Sequence, residues 1–320
     1  MTTSSDLRPA GDSAEPAPAV SVVIPSYNAR ATIERCLASV LAQELEGGFE
    51  VWLVDSSDDG TGELVEERFP GVNLVRFPER TLPGPARNEG IRRARGAILA
   101  FTDSDCVVPA GWLAAHVARH RERDESQGEA GASPRRAAVG GAVTNGLANN
   151  AVAWSGLLVE FNEFLPSSPE RRTELLPTCN VSYRREVFEE HGTFPVDLWP
   201  SEDHIFSWRL AQAGEELFFD PAIVIEHLFR PTFSAFVRHQ RRLGAASAKA
   251  RKQVDLPNAW LVTSPLRFLT PLMRLARMEL RLVRSDLANF LRFNAFLPVC
   301  VTGLVAWGIG FSTGRAGGAE

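Results

Sequence analysis

From Val20 onward the chain alternates between two kinds of pattern. Short apolar, β-branched runs occur at VSVVIP (20–25), FEVWLVD (49–55), NLVRF (73–77) and AILAFTD (97–103). Between them lie stretches of helical pattern, ARATIERCLASVLAQ, GTGELVEERF and PARNEGIRRAR. Strands recurring about every 25 residues with helices between them predict βαβ units, a mostly parallel sheet and an α/β, doubly wound fold. A further helix is predicted at GWLAAHVARH, followed by a polar stretch, RERDESQGEAGASPRR (121–136), that reads as a mobile surface loop. Order resumes at AAVGGAVTN, and the body of the domain (19–230) is expected to end near Arg230. There is no internal repeat.

In such sheets ligands sit outside the carboxyl ends of the strands. Those ends carry Ser26, Tyr27 and Asn28 after the first run, Asp55 after the second, and Asp103 and Asp105 after the fourth. Strand alternation would put Asp103 and Asp105 on one side, where two like charges repel unless a cation neutralises them. Hard oxygen ligands suit Mg²⁺ or Mn²⁺, which are commonly held by one or two carboxylates plus substrate phosphates. An isolated D-x-D also reads as an acidic turn that caps the next helix. Its place at the ligand edge of a sheet favours the metal.

Composition narrows the class. The net charge of −5 and pI near 5.8 argue against a general nucleic-acid binder. Cys36, Cys106, Cys179 and Cys300 form no close pair in sequence and read as core residues of a reducing compartment. The first residues, MTTSSDLRPAGDSAEPAPAV, lack the basic start and apolar core of a signal peptide. Their composition predicts a disordered tail over 1–18. The catalytic body is therefore expected in the cytoplasm. No G-x-G-x-x-G follows a strand and no P-loop occurs. A G-x-S-x-G at Gly310–Gly314 has no Asp or His after Ser312, which a hydrolase elbow requires.

Four segments in order, VSVVIPSYNARATIERCLASVLAQ, VDSSDDGT, GPARNEGIRRARGAILAFTDSDC and SEDHIFSWRL, resemble the family-2 glycosyltransferases of the GT-A fold. The resemblance runs from Val20 to His227. It implies that Asp103, Ser104 and Asp105 face a divalent metal bridging the diphosphate of a nucleotide-sugar. It also implies that Pro25, Tyr27 and Asp55 line the base and ribose pocket, that Arg87 and Asn88 border the nucleotide, and that Asn180 stands beside the sugar. His227 would be a further metal ligand, or a structural histidine. Trp199 would stack on a sugar or close the core. Asp203 would be the general base, with Glu202 as runner-up. Read on their own, Ser201, Glu202 and Asp203 make a helix N-cap with dipole-complementing charge. The segment VDSSDDGT is one residue shorter than the commoner family form, so Asp58 and Asp59 are left as turn residues.

Beyond Arg230 the character changes. Arg267, Arg274, Arg277, Arg281 and Arg284 make one stripe along a helix, with leucines filling the other sides. A basic amphipathic helix of this kind suits an anionic membrane surface; packed on the catalytic domain, it would show the same polar face. Residues 293–314, FNAFLPVCVTGLVAWGIGFSTG, carry no charge and are long enough for one span, although Pro298 and the glycines also suit a re-entrant or interfacial segment. With many arginines before it and one after, the positive-inside rule keeps the catalytic body on the cytoplasmic face of the membrane. The expectation is an α/β, GT-A-like domain with a C-terminal helical, membrane-associated appendage (231–320). It would transfer a sugar with inversion from a nucleotide-diphosphate sugar to a glycan or lipid-linked acceptor hydroxyl in glycolipid or cell-surface polysaccharide synthesis. A polyprenyl-phosphate acceptor and a non-catalytic nucleotide-sugar scaffold are the alternatives.

Overall fold

The computed structural model of the chain describes residues 16–125 and 136–314. Most of the predicted tail (1–15) and of the predicted loop (126–135) lies outside the described residues.

The first half is built as the periodicity predicts. β1 (Val20–Ser26), α1 (Ile33–Leu41), β2 (Phe49–Asp55), α2 (Thr61–Arg68), β3 (Asn73–Arg76), α3 (Pro83–Arg93) and β4 (Ile98–Phe101) follow in turn. β1 pairs in parallel with both β2 and β4, and β2 with β3. Every residue of β1 is buried, because a central parallel strand is covered on both faces. Val20, Val22 and Ile24 enter one core while Val23 enters the other, the period-two alternation of a strand.

The second half continues the same sheet. Its elements are β5 (Cys106–Val107), α4 (Trp112–Glu125), β6 (Arg136–Asn145), α5 (Ala151–Phe161), β7 (Arg171–Thr173), β8 (Val181–Arg184), α6 (Arg185–His191), α7 (Glu202–Gln212) and β9 (Glu216–His227). Residues 121–125, expected in the loop, continue α4 instead. The strand order is β3-β2-β1-β4-β8-β6-β9-β5, with β7 on β9. β8 runs antiparallel between β4 and β6, while β6 and β9 are parallel. One core face is aromatic, with Phe101, Tyr183, Phe188, Phe194 and Phe206 in mutual edge and tilted contact. Such pairs add roughly 0.5–1.5 kcal/mol each beyond the area they bury.

No break in packing falls at residue 230. Four helices follow: α8 (Phe233–Gln253), α9 (Thr270–Ser285), α10 (Leu287–Ala295) and α11 (Leu297–Thr313). Phe236, Met278, Leu282, Phe293, Cys300 and Leu304 from these helices join the core that holds β1 and α5. α8 and α11 cross in close contact. A Cβ on Gly244 would lie 1.9 Å from the Trp307 carbonyl oxygen, and one on Gly310 2.0 Å from that of Arg241. Only glycine admits that approach. The uncharged segment 293–314 thus comprises the end of α10 and all of α11, two helices bent by 82° about Phe296. Among the described residues no single helix is long and apolar enough to cross a membrane, although that bent pair passes by length and composition.

Candidate active site

The carboxyl edge of the sheet opens into a cavity of about 770 Å³. Its sheet side is carboxylate-rich. β4 stops at Phe101, so Asp103 and Asp105 are presented by a turn and not, as expected, by strand alternation. The Cys106 N–H donates to the Asp103 carbonyl at 3.0 Å, and the Leu228 N–H to the Asp105 carbonyl at 2.8 Å. β5 then pairs Cys106 with His227 at the end of β9. That ladder brings Asp105 Oδ1 to 3.6 Å from His227 Nε2. The imidazole is held by stacking on Phe229, with ring centres 4.3 Å apart, and its buried Nδ1 has no protein partner. The Cys106 sulfur belongs to the same cluster. Burial raises its pKa well above the ordinary thiol value. Asp105 and His227 converge at the cavity wall and Asp103 lines the same cavity, and carboxylate and imidazole donors fit a Mg²⁺ or Mn²⁺ ion by chemistry.

Arg87 ties this edge to α7. Its guanidinium is buried and donates to Asp103 Oδ1 and to Glu202 Oε1, both at 2.7 Å. Burial opposes its charge, but the two carboxylates more than compensate and raise its pKa. Arg87 lines the cavity as expected, yet its fork is spent on protein carboxylates. It acts as a strut, and one oxygen of Asp103 remains for another partner.

Glu202 and Asp203 open α7, where the sequence predicts a cap. Ser201 holds the N-cap position, but its hydroxyl donates to the Pro200 carbonyl at 2.5 Å and does not cap the helix. The Ser201 N–H donates instead to Glu202 Oε2 at 3.0 Å, and the His204 N–H to Asp203 Oδ1 at 2.7 Å. Glu202 is therefore engaged at both oxygens. Asp203 lines the same cavity and has no cationic partner in contact among the described residues. Burial raises its carboxyl pKa, with the Arg87 charge opposing. A carboxylate with a raised pKa and no cation bound to it is the better proton acceptor.

At the nucleotide half, Pro25, Ser26, Tyr27 and Ser104 line the cavity. Tyr27 is exposed, with the Arg80 guanidinium 4.5 Å above its ring. Asp55 lies beside Ser26 in the β1–β2 register. Its Oδ1 accepts from Ser57 at 2.5 Å, while its buried Oδ2 and the Ser26 hydroxyl have no partner. Buried polar atoms without partners are uncommon, and these two sit where a nucleoside was expected. Asp58 and Asp59 are turn residues, as expected: Asp59 accepts from the Arg30 and Thr61 N–H groups.

Three expected ligand residues do not border the cavity: Asp55, buried beside Ser26, and the two asparagines. Asn88 is a loop staple, exchanging both of its amide hydrogen bonds with the Phe194 backbone at 2.8 and 3.0 Å. Asn180 is wholly buried. Its Oδ1 accepts from Trp112 Nε1 at 2.9 Å and faces His116 Nε2 at 3.2 Å, and its Nδ2 donates to the Ala142 and Ile223 carbonyls. Every hydrogen-bonding group of that amide is used inside the fold, so none is left for a sugar. The sequence offered no signal for this network, because its members are some 40 to 70 positions apart.

The other wall comes from α5 together with α8, α9 and α11, the last three of which the sequence reading had set outside the catalytic body. Trp199 lines it, under the Arg242 guanidinium at 4.9 Å. Glu160 and His239, not singled out from sequence, are paired there at 3.3 Å. Burial alone would raise the Glu160 carboxyl, but His239 holds it below its ordinary value. Part of the arginine stripe turns inward, while Arg277 and Arg284 are exposed. Arg274 is turned inward, donating to the Val159 carbonyl at 3.1 Å with Trp307 under its guanidinium at 4.3 Å. Arg281 reaches Asn162, and Glu163 at 2.7 Å.

Comparison with known proteins agrees with this architecture. The family model for Glycosyl transferase family 2 matches residues 21–192. Glycosyltransferase AglE of Haloferax volcanii is 31% identical over 232 residues, covering 71% of this chain and 72% of that protein. Among solved structures, mannosyltransferase PcManGT from Pyrobaculum calidifontis, in complex with GDP-Man and Mn²⁺, superposes with a TM-score of 0.59 at 24% identity. It covers 92% of this chain and 87% of its own. S. aureus TarS 1–349, in complex with UDP-GlcNAc, gives a TM-score of 0.52 at 18% identity and covers 92% of each chain. Both share the GT-A fold with this chain.

Proposed function

This chain belongs to glycosyl transferase family 2, and we propose that it transfers a sugar, with inversion, from a nucleotide-diphosphate sugar to an acceptor hydroxyl. One observation carries the reading: a single cavity joins the Asp103–Asp105–His227 corner to an unpaired Asp203, with Arg87 fixing the spacing between their elements. The nucleoside would lie along Pro25 and Tyr27, with Asp55 Oδ2 and the Ser26 hydroxyl as its polar anchors. A divalent ion, Mg²⁺ or Mn²⁺, held by Asp103, Asp105 and His227 would offset the charge of the leaving diphosphate.

The chain's own groups would then supply orientation and proton transfer. Asp203 accepts the proton of the acceptor hydroxyl as its oxygen attacks the anomeric carbon from the face opposite the diphosphate. The bond to the diphosphate breaks in the same step, so no sugar–enzyme bond forms and the anomeric configuration inverts. Glu202, pinned by Arg87 and the Ser201 N–H, holds the start of α7 in place and takes no proton. The unpaired state of Asp203 favours this reading over a scaffold that only binds nucleotide-sugar.

Single-turnover transfer by the Asp203→Asn and Glu202→Gln variants tests it. Asp203→Asn should bind donor as the native protein does and lose transfer by about 10²–10⁴, the usual worth of a positioned base. Full transfer by Asp203→Asn would remove Asp203 from the role.

A further inference from the structure

α9 packs Met278 and Leu282 into the core as an ordinary surface helix does, but it carries a second apolar side that is exposed. Leu269, Leu272, Ala276, Leu280, Val283 and Leu287 follow one another at intervals of 3, 4, 4, 3 and 4, and all are exposed. Leu272 is 63% exposed and Leu287 63%. The stripe continues through Phe268 before α9 and Leu291 on α10, 65% and 61% exposed. This is a contiguous apolar surface, not scattered single residues, and such patches mark interaction sites.

The other side of α9 carries charge into the cavity. Arg274, Arg277 and Arg281 line it, together with Arg251 of α8. Arg274 is half-buried, with a carbonyl and a ring as its contacts, and no carboxylate touches it. Burial lowers its pKa to about 10, which leaves it charged at neutral pH. Arg277 makes no ion pair or hydrogen bond among the described residues. Arg281 is paired with Glu163, and Glu160 is already engaged by His239 and Gln240. A cation drawn partly out of water without a carboxylate partner favours an anion beside it. Arginine forks match phosphate oxygens.

One helix therefore separates an exposed apolar surface from an arginine-lined cavity. Arg277 and Arg284, both exposed, flank the apolar stripe, as suits a surface bearing lipid phosphates. α11 adds exposed Val305 and Ile309, while its opposite side, with Cys300, Gly303, Leu304 and Gly310, is packed inside the fold.

We propose that α9 is the acceptor-binding element: its leucine stripe seats on an anionic lipid surface, and its arginines hold the phosphate of a lipid-borne acceptor within the cavity. The protein then lies on the bilayer through α9 and α10 without crossing it. The role of that lipid as acceptor rests on the glycosyltransferase reading above. The two binding events do not.

The test uses the full chain. Native protein should float with vesicles of phosphatidylcholine and phosphatidylglycerol, and Leu272→Glu/Leu280→Glu should remain in the aqueous fraction. Geranyl phosphate, titrated calorimetrically, should bind the native protein, with geraniol not competing. Arg277→Gln, at an exposed position, should weaken that binding by about ten- to a hundredfold, the loss expected for one charge-assisted hydrogen bond. Inorganic phosphate competing as well as geranyl phosphate would identify the site as one for a soluble anion and overturn the lipid assignment. Flotation unaffected by the leucine changes, or a dimer that those changes dissolve, would overturn the docking face. Unchanged geranyl phosphate affinity in Arg277→Gln would overturn the arginine site. Binding of UDP- and GDP-sugars with Mn²⁺, measured on the same samples, separates the outcomes. If it fails while flotation and geranyl phosphate binding persist, the proposed reaction falls and the lipid-binding element stands.

Discussion

Replacing Arg87 by methionine removes the guanidinium and leaves a side chain of similar length. Two carboxylates then lose their shared cation: Glu202, whose side chain is 6% exposed, and Asp103, at 29%. Breaking a buried pair in this way typically costs about 3–5 kcal/mol. An independent bound comes from protonation. A carboxyl of ordinary pKa about 4.3 can be neutralised at pH 7 for roughly 1.36 kcal/mol times 2.7, near 4 kcal/mol, so Glu202 need cost no more than that. Asp103 is more solvated and should add less than 1 kcal/mol after screening. At pH 5 the same protonation costs only about 1 kcal/mol. The sign follows from linkage. Burial already raises the Glu202 pKa in the native protein with Arg87 opposing; without Arg87 it rises further above the unfolded value, so the mutant loses more stability as pH rises. Urea unfolding should therefore show Arg87→Met less stable than the native protein by about 4 kcal/mol at pH 7 and by about 1–2 kcal/mol at pH 5. A deficit below about 1 kcal/mol at pH 7, or one that does not change with pH, would refute the reasoning that Arg87 is the electrostatic strut of the site.

Other expectations are as direct. Asn180→Ala should destabilise the fold by about 3 kcal/mol or more, because it strands the Trp112 indole N–H and two carbonyls, yet leave nucleotide-sugar affinity unchanged; calorimetry showing the reverse would return Asn180 to the ligand site. His116 and His120 are buried neutral, with burial lowering them to about 4 and about 3. Their contribution is complete above their unfolded value near 6.5 and is lost as pH falls toward those folded values, roughly 2 kcal/mol each by pH 5. Imidazole NMR signals that titrate near pH 6.5 in the native protein would exclude this. Gly244→Ala should lower the melting temperature by several degrees, because the new methyl meets the Trp307 carbonyl; an unchanged melting curve would mean that α8 and α11 are not held in contact.

Much of the fold was legible because its signals are local. The strand–helix alternation from Val20 to Phe101 follows from β-branched runs and helical spacing, and parallel pairing follows from the crossover helices. Placing Asp103 and Asp105 at the ligand edge needed only the rule about strand ends. The turn that actually presents them could not be read, because it depends on β5 pairing with a strand more than a hundred residues later. Asn180 and Asn88 sit in segments whose motifs suggested a ligand, and only long-range partners reveal that their amides are already used. The arginine stripe was legible as a stripe, but not its direction. Periodicity gives the angle between two faces of a helix, and the surrounding helices decide which of them turns inward.

The central claim is that the Asp103–Asp105–His227 corner holds a metal-bound nucleotide diphosphate. Calorimetric titration of UDP- and GDP-sugars into native protein and Asp105→Ala, with Mn²⁺ and with EDTA, addresses it most directly. The account predicts binding of at least one donor to the native protein that EDTA abolishes, and loss of that metal dependence in a folded Asp105→Ala variant. Donor affinity that is the same in both proteins and indifferent to EDTA would contradict it.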